Sequence, residues 1–279
     1  MLRALVLSLC LMSPVALAAG PVFDVHVHLR DGETSLREYR ESVREAGLEL
    51  SGMGVMWFGG PHQARQGELA EIRAGNDTVI ALAAAHPDVL PIATVHPYDG
   101  DAAVAELARV ATAGVKVLKI HAHTQGFDVA DPRVEALARK AGELGLTVLM
   151  DNANILPGDS EKLFNLVVRV PKTKFILAHI GGLNFRFWNI LALARTADGF
   201  GFDNLYFDIS ATVLVVADSP VEEEFLWTLR NVGLDHVLIG SDYPQIDLGR
   251  TVEAFERLDL TDDEKAKIRS GNAMKLFGR

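Results

Sequence analysis

Thiol chemistry is the first thing this sequence lacks. Its one cysteine, Cys10, sits inside an apolar N-terminal segment. That segment has a positive start at Arg3, an apolar stretch over residues 4–17 and the small-x-small sequence Ala16-Leu17-Ala18. Signal peptidase reads this order, so cleavage after Ala18 or Ala19 is expected. The apolar stretch is shorter than the ~20 residues of a membrane-spanning helix. A lipid anchor at Cys10 is disfavoured, because Leu9 stands where a small residue belongs. The expected organisation is a signal peptide over 1–18 and one domain over 19–279, in a periplasmic or secreted protein. Without Cys10 the mature chain tolerates an oxidising compartment and offers neither a thiolate ligand nor a thiol nucleophile. Any metal must then be held by histidine and carboxylate.

A cationic excess is also missing. Lys and Arg number 27 against 37 Asp and Glu, a net charge of -10. Such a chain has no broad attraction for nucleic acid or anionic lipid. A small molecule is the expected partner, and self-association stays open. There is no linker rich in Pro, Gly or Ser and no low-complexity tract. No glycine-rich phosphate loop follows the first apolar run, which counts against a dinucleotide-binding sheet.

What is present is a repeated alternation. Short β-rich apolar runs recur over 22–28, 52–58, 90–96, 115–121, 146–151, 174–179, 204–209 and 236–242. Helical patterns lie between them over 35–46, 102–113, 133–144, 161–170 and 221–232. Gly47, Gly114, Gly145 and Gly233 follow four of these as expected helix stops. Strand and helix in alternation imply a parallel sheet, and eight repeats predict a single-domain α/β fold, the (β/α)8 TIM barrel. An open doubly wound sheet is the alternative. The tail over 261–277 begins with the N-cap candidate Thr261 and an acidic turn, then reads as helix.

The sharpest chemical signal is Asp24-Val25-His26-Val27-His28 at the end of the first run. Residues two apart on a strand share a face, so His26 and His28 project together and can hold one cation. His179, Asp242 and Asp151 end the sixth, eighth and fifth runs. Barrel active sites gather at the C-terminal strand ends, which would bring all five into one ring. Lys119, His121 and His123 share a parity on and beyond the fourth run.

The stretches DVHVHL, KIHAHTQGFDVADPR, FILAHIGG, NLYFDIS, VLIGSDYP and IRSGNAMKLFG span the mature chain. Together they resemble the amidohydrolase superfamily, in the amidohydrolase-related branch that includes metal-dependent hydrolases and some decarboxylases. The resemblance implies His26 and His28 as first-strand ligands. It implies Asp242 as a carboxylate that contacts the metal and takes a proton from water. It gives His179 a part in activating water, polarising a carbonyl or binding metal. The expected cofactor is one divalent ion, zinc or else manganese.

One position departs from the pattern. The family usually has a histidine at the fifth strand end, and this chain has Asp151. Asp151 is a candidate substitute ligand, a residue facing substrate, or the mark of a weakened site. Some amidohydrolases carboxylate a fourth-strand lysine to bridge two metals, but in this branch it is commonly unmodified. Lys119 is read as a charge meeting a substrate carboxylate, with His121 orienting it and His123 structural. Of the remaining histidines only His96 is placed to line a pocket. Phe187 and Trp188 are expected in helix packing. Three activities follow: hydrolysis of an amide, ester or lactone; decarboxylation, with Lys119 or Arg186 meeting the carboxylate; or an inactive binding protein, for which Asp151 is the best support.

Overall fold

A computed structural model describes residues 20–59, 63–197, 199 and 201–279. The expected signal peptide and His62 lie outside them. Eight parallel strands follow one another in sequence order around a single sheet. They are β1 (Val22–His28), β2 (Leu50–Met56), β3 (Val89–Ala93), β4 (Val117–Ile120), β5 (Thr147–Met150), β6 (Phe175–Leu177), β7 (Leu205–Asp208) and β8 (Val237–Leu238). The last strand returns to the first through Val25 N–H to Ile239 O at 3.1 Å and Asp242 N–H to His26 O at 2.9 Å. The fold is the expected (β/α)8 barrel, and the open sheet is excluded.

The outer layer is α1 (Gly32–Glu45), α2 (Leu69–Ala85), α3 (Asp101–Thr112), α4 (Pro132–Glu143), α5 (Asp159–Arg169), α6 (Ile190–Ala194), α7 (Glu222–Val232) and α8 (Leu248–Arg257). Local chemistry starts these helices where it should. Asp131 accepts from Arg133 N–H with Pro132 in the first turn of α4, and Thr261 with Glu264 forms a capping box on the tail. Helix α2 escapes the periodic pattern because it is rich in alanine, so its buried face of Ile72, Asn76, Val79 and Leu82 shows little contrast with the exposed one.

The strands are shorter than expected at their C-terminal ends. Asp151, His179 and Asp242 stand one or more residues past the last strand residue, and His179 and Asp242 have φ of 61° and 66°. The backbone leaves extended geometry there so that polar side chains can turn into the mouth. A second departure lies in β1. Three steps from Asp24 to Val27 pair with two steps from Met53 to Val55, which is a bulge. Below it Phe23 and Val25 face the barrel interior; above it Val27 and Leu29 pack outward with the helices. The bulge turns His26 and His28 into the cavity directly above Val25.

Beneath the mouth the interior is filled. Phe23, Val25, Ile92, Val117, Leu149 and Ile176 pack together, with Ala273 of the tail against them. Phe277 packs at a tilt against Phe23, with 5.8 Å between ring centroids. The Arg279 guanidinium donates to the carbonyls of Pro87 and Val89 at 2.7 and 2.9 Å.

Candidate metal centre

The mouth opens into a cavity of about 400 Å3 whose floor is polar and whose walls are not. His26, His28, Lys119, His121, Asp151, His179 and Asp242 all line it. The candidates at the ends of the first, fourth, fifth, sixth and eighth runs are therefore brought to one place.

Two imidazoles are held from behind. The Nδ1 of His28 faces the carbonyl oxygen of Phe58, which can only accept, so Nδ1 carries the hydrogen and Nε2 keeps its lone pair. The Nδ1 of His26 lies 2.8 Å from Asp208 Oδ2, with the same result. Both Nε2 atoms then converge on Asp242 Oδ1, at 3.4 Å from His26 and 3.2 Å from His28. Three acceptors of this kind repel one another unless a cation or proton stands between them. They lie within 4.8 Å of one another. Two imidazole nitrogens and one carboxylate oxygen suit zinc or manganese, so the residues present fit a divalent ion.

Glycine makes room behind both rings. A Cβ at Gly59 would come within 2.6 Å of His28 Nδ1, and one at Gly240 within 2.7 Å of His26 Cβ. Real Cβ atoms do not approach so closely. A side chain at either position would push the imidazole out of line.

The other side of the cavity holds a second trio. Asp151 Oδ1 lies 3.4 Å from His179 Nε2 and 3.6 Å from His121 Nε2. The Nδ1 of His179 faces the carbonyl of Ser210 at 3.1 Å and its hydroxyl at 3.0 Å. Lys119 is fully buried between the two trios, its Nζ 3.4 Å from His26 Nε2.

Burial and charge set the protonation of these groups. Burial raises the carboxyl of Asp242, but the imidazoles of His26, His28 and His179 outweigh it and hold the pKa at about 2. Burial lowers His26, and the Lys119 ammonium adds to this. Burial lowers His179 as well, yet its hydrogen bond to Asp151 and the surrounding carboxylates raise it to about 9. Asp151 is held far below the usual carboxylate range by His179, His121 and Lys119 against the effect of burial. His121 falls to about 4, chiefly through burial. Lys119 is lowered by burial and partly restored by Asp151, Asp242 and Asp208.

Across residues 23–279 the sequence matches the amidohydrolase family (Amidohydro_2). The chain belongs to that family. Among solved structures this amidohydrolase is similar to a candidate amidohydrolase from Staphylococcus aureus, with TM-score 0.70 and 18% identity over 92% of this chain and 99% of that one. It is similar to 5-carboxyvanillate decarboxylase from Sphingomonas paucimobilis, with TM-score 0.67 and 20% identity over 86% and 82%. It is also similar to a dihydroxybenzoic acid decarboxylase from Polaromonas, described with bound manganese and the inhibitor 2-nitroresorcinol, with TM-score 0.66 and 17% identity over 92% and 97%. At these identities the likeness is one of fold. No curated protein matches the sequence.

Some candidates are not brought to the amidohydrolase centre. Arg186 pairs with Glu224 on α7 and is not among the residues that line the cavity. His96 is buried and does not line this cavity; its Nε2 faces Gln125 O and its Nδ1 accepts from Tyr98 N–H. Trp188 is buried against Phe207, as helix packing requires. His123 Nε2 lies 2.9 Å from Asp159 Oδ2, away from the cavity lining. Asp208 and Ser210 went unnoticed although both lie within the quoted stretch NLYFDIS. Asp208 is the last residue of the strand β7 but stands one short of the end of the seventh run at 209, so looking for polar residues only at run ends passes over it.

Proposed function

We propose that this protein hydrolyses an amide, ester or lactone bond of a small molecule, using one divalent ion, zinc or manganese, held by His26, His28 and Asp242. The observation that carries this reading is the convergence of two imidazole lone pairs and an ionised carboxylate on one point of the cavity floor. An ion bound there supplies positive charge that polarises a substrate oxygen and eases deprotonation of water. Asp242, ionised at neutral pH, accepts the proton of the attacking water. His179 carries a proton on Nε2 toward the cavity and stabilises charge on the substrate oxygen. Asp151 keeps that proton on His179, and Lys119 balances the carboxylates around it. Phe58, Ile155, Leu183 and Val215 form apolar walls for the substrate body.

A second reading, decarboxylation, is favoured by one feature. Lys119 and His179 put two cationic groups at the closed end of the cavity, where a substrate carboxylate would sit. The decarboxylases among the similar structures support it. The deciding experiment loads the purified protein with zinc or manganese and follows a panel of esters, lactones, amides and aryl carboxylates. Hydrolysis products support the first reading and released CO2 the second. One bound ion with no turnover on either panel leaves a binding protein.

Export is part of the proposal. N-terminal sequencing of protein recovered from the periplasm or medium should begin after Ala18 or Ala19; an intact Met1 would end that idea.

A further inference from the structure

The carboxylate behind His26 has no role in the chemistry above, yet it is buried and its contacts are directional. Asp208 Oδ1 accepts from Ser210 N–H at 2.7 Å. Its Oδ2 accepts from Ser210 Oγ–H at 2.7 Å and from His26 Nδ1 at 2.8 Å. The Ser210 hydroxyl has spent its hydrogen on Asp208, so it can only accept from His179 Nδ1, 3.0 Å away. One short segment, Asp208-Ile209-Ser210, thus stands behind both His26 and His179. Glycine at 240 is what lets this happen: a Cβ there would come within 2.7 Å of His26 Cβ and 2.8 Å of Asp208 Oδ1.

We propose that Asp208, held in place by Ser210, is the positioning residue that fixes which ring nitrogen of His26 carries hydrogen and so aims the Nε2 lone pair into the cavity. Ser210 does the same for His179 through its carbonyl and hydroxyl. The consequence for ion binding rests on the reading of His26 as a ligand; the assignment of the tautomer does not.

Asp208→Asn tests this with almost no change of shape. Asparagine offers one oxygen and one NH2 where aspartate offers two acceptors. With the NH2 toward His26, two donors face each other, and the ring relieves this by moving its hydrogen to Nε2. With the NH2 toward Ser210, it opposes the backbone N–H. Neither orientation satisfies every partner.

The measurement is histidine 15N NMR on the ion-free protein, beside zinc and manganese titrations. Wild type should show Nδ1–H on His26 and on His179. In Asp208→Asn, His26 should switch to Nε2–H while His179 keeps Nδ1–H, because the Ser210 carbonyl remains. Ion binding should weaken about 10- to 100-fold. Ser210→Ala should keep the His26 tautomer and lose a smaller factor, since the backbone N–H still holds Asp208. A His26 found as Nε2–H in ion-free wild type would overturn the proposal, even if no variant folded. So would Asp208→Asn that keeps Nδ1–H on His26 and an unchanged ion affinity. If the tautomer switches as expected but wild type takes up no ion, the positioning role stands and the metal reading falls.

Discussion

The two sides of the cavity are built from the same parts. One has His26, His28 and Asp242; the other has His121, His179 and Asp151, each carboxylate within about 3.6 Å of two imidazole nitrogens. They differ in what lies behind the rings and beside them. On the first side both Nδ1 atoms have acceptors, and burial, with the Lys119 ammonium beside Nε2, keeps the His26 imidazole neutral. On the second side only His179 is backed, and the Nδ1 of His121 is buried with no partner among the described residues. There the carboxylate and His179 form an ion pair. Residue identity alone does not separate a metal centre from a proton-holding pair; the partner on the far nitrogen does.

Removing a ligand should break the comparison most completely. His26→Ala is expected to weaken ion binding by more than about 100-fold, beyond the loss typical of an outer partner. Elemental analysis should find the ion gone and turnover at background. Full retention of the ion would mean that the first trio is not the centre.

Asp151→Asn acts on the other side. It should keep about one equivalent of ion while kcat falls about 100-fold, as for loss of a positioned acid or base. Loss of the ion from this variant would instead make Asp151 a ligand and merge the two trios into one centre.

Gly240→Ala should be milder. The added methyl displaces His26 and Asp208 together, with a cost of about 1–3 kcal/mol in stability for overpacking. Ion affinity should fall several-fold, read by titration. A variant with wild-type melting and affinity would show that the strand shifts freely there, which the packing argues against.

The smallest effect is on pH dependence of the ion-free protein. His179 is raised from 6.5 to about 9, so its stabilisation is complete below the unfolded value and is lost as pH rises through 9. Asp151 is depressed from 3.8, so its share is present above that value and is lost as pH falls. The Tm gap between wild type and Asp151→Asn, measured in chelator, should be widest between these limits and shrink toward pH 10. A constant gap would show that the pair is not coupled.

Much of this was legible before any fold was known. Alternating runs gave the barrel, and a polar residue closing an apolar run pointed to His26, His28, His179 and Asp242. The bulge in β1 was not legible, because one extra residue leaves the apolar pattern intact while changing which face each side chain takes. Asp208 reaches His26 across 182 positions, through the closure between the last strands and the first, so its partner could not be read from spacing. Arg186 and His96 show the opposite error. Both are polar and follow strands in the sequence, but Arg186 pairs with Glu224 and His96 faces the Gln125 carbonyl, and neither lines the cavity.

The packing of Phe277 against Phe23 gives the barrel a floor. Among the described residues the interior beneath the cavity is filled, so the mouth that admits a substrate also serves as its way out. A product that lingers occupies the berth the next substrate needs, whichever bond is cut. Product should therefore compete directly with substrate, and the walls of Ile155, Leu183 and Val215 govern departure as much as arrival.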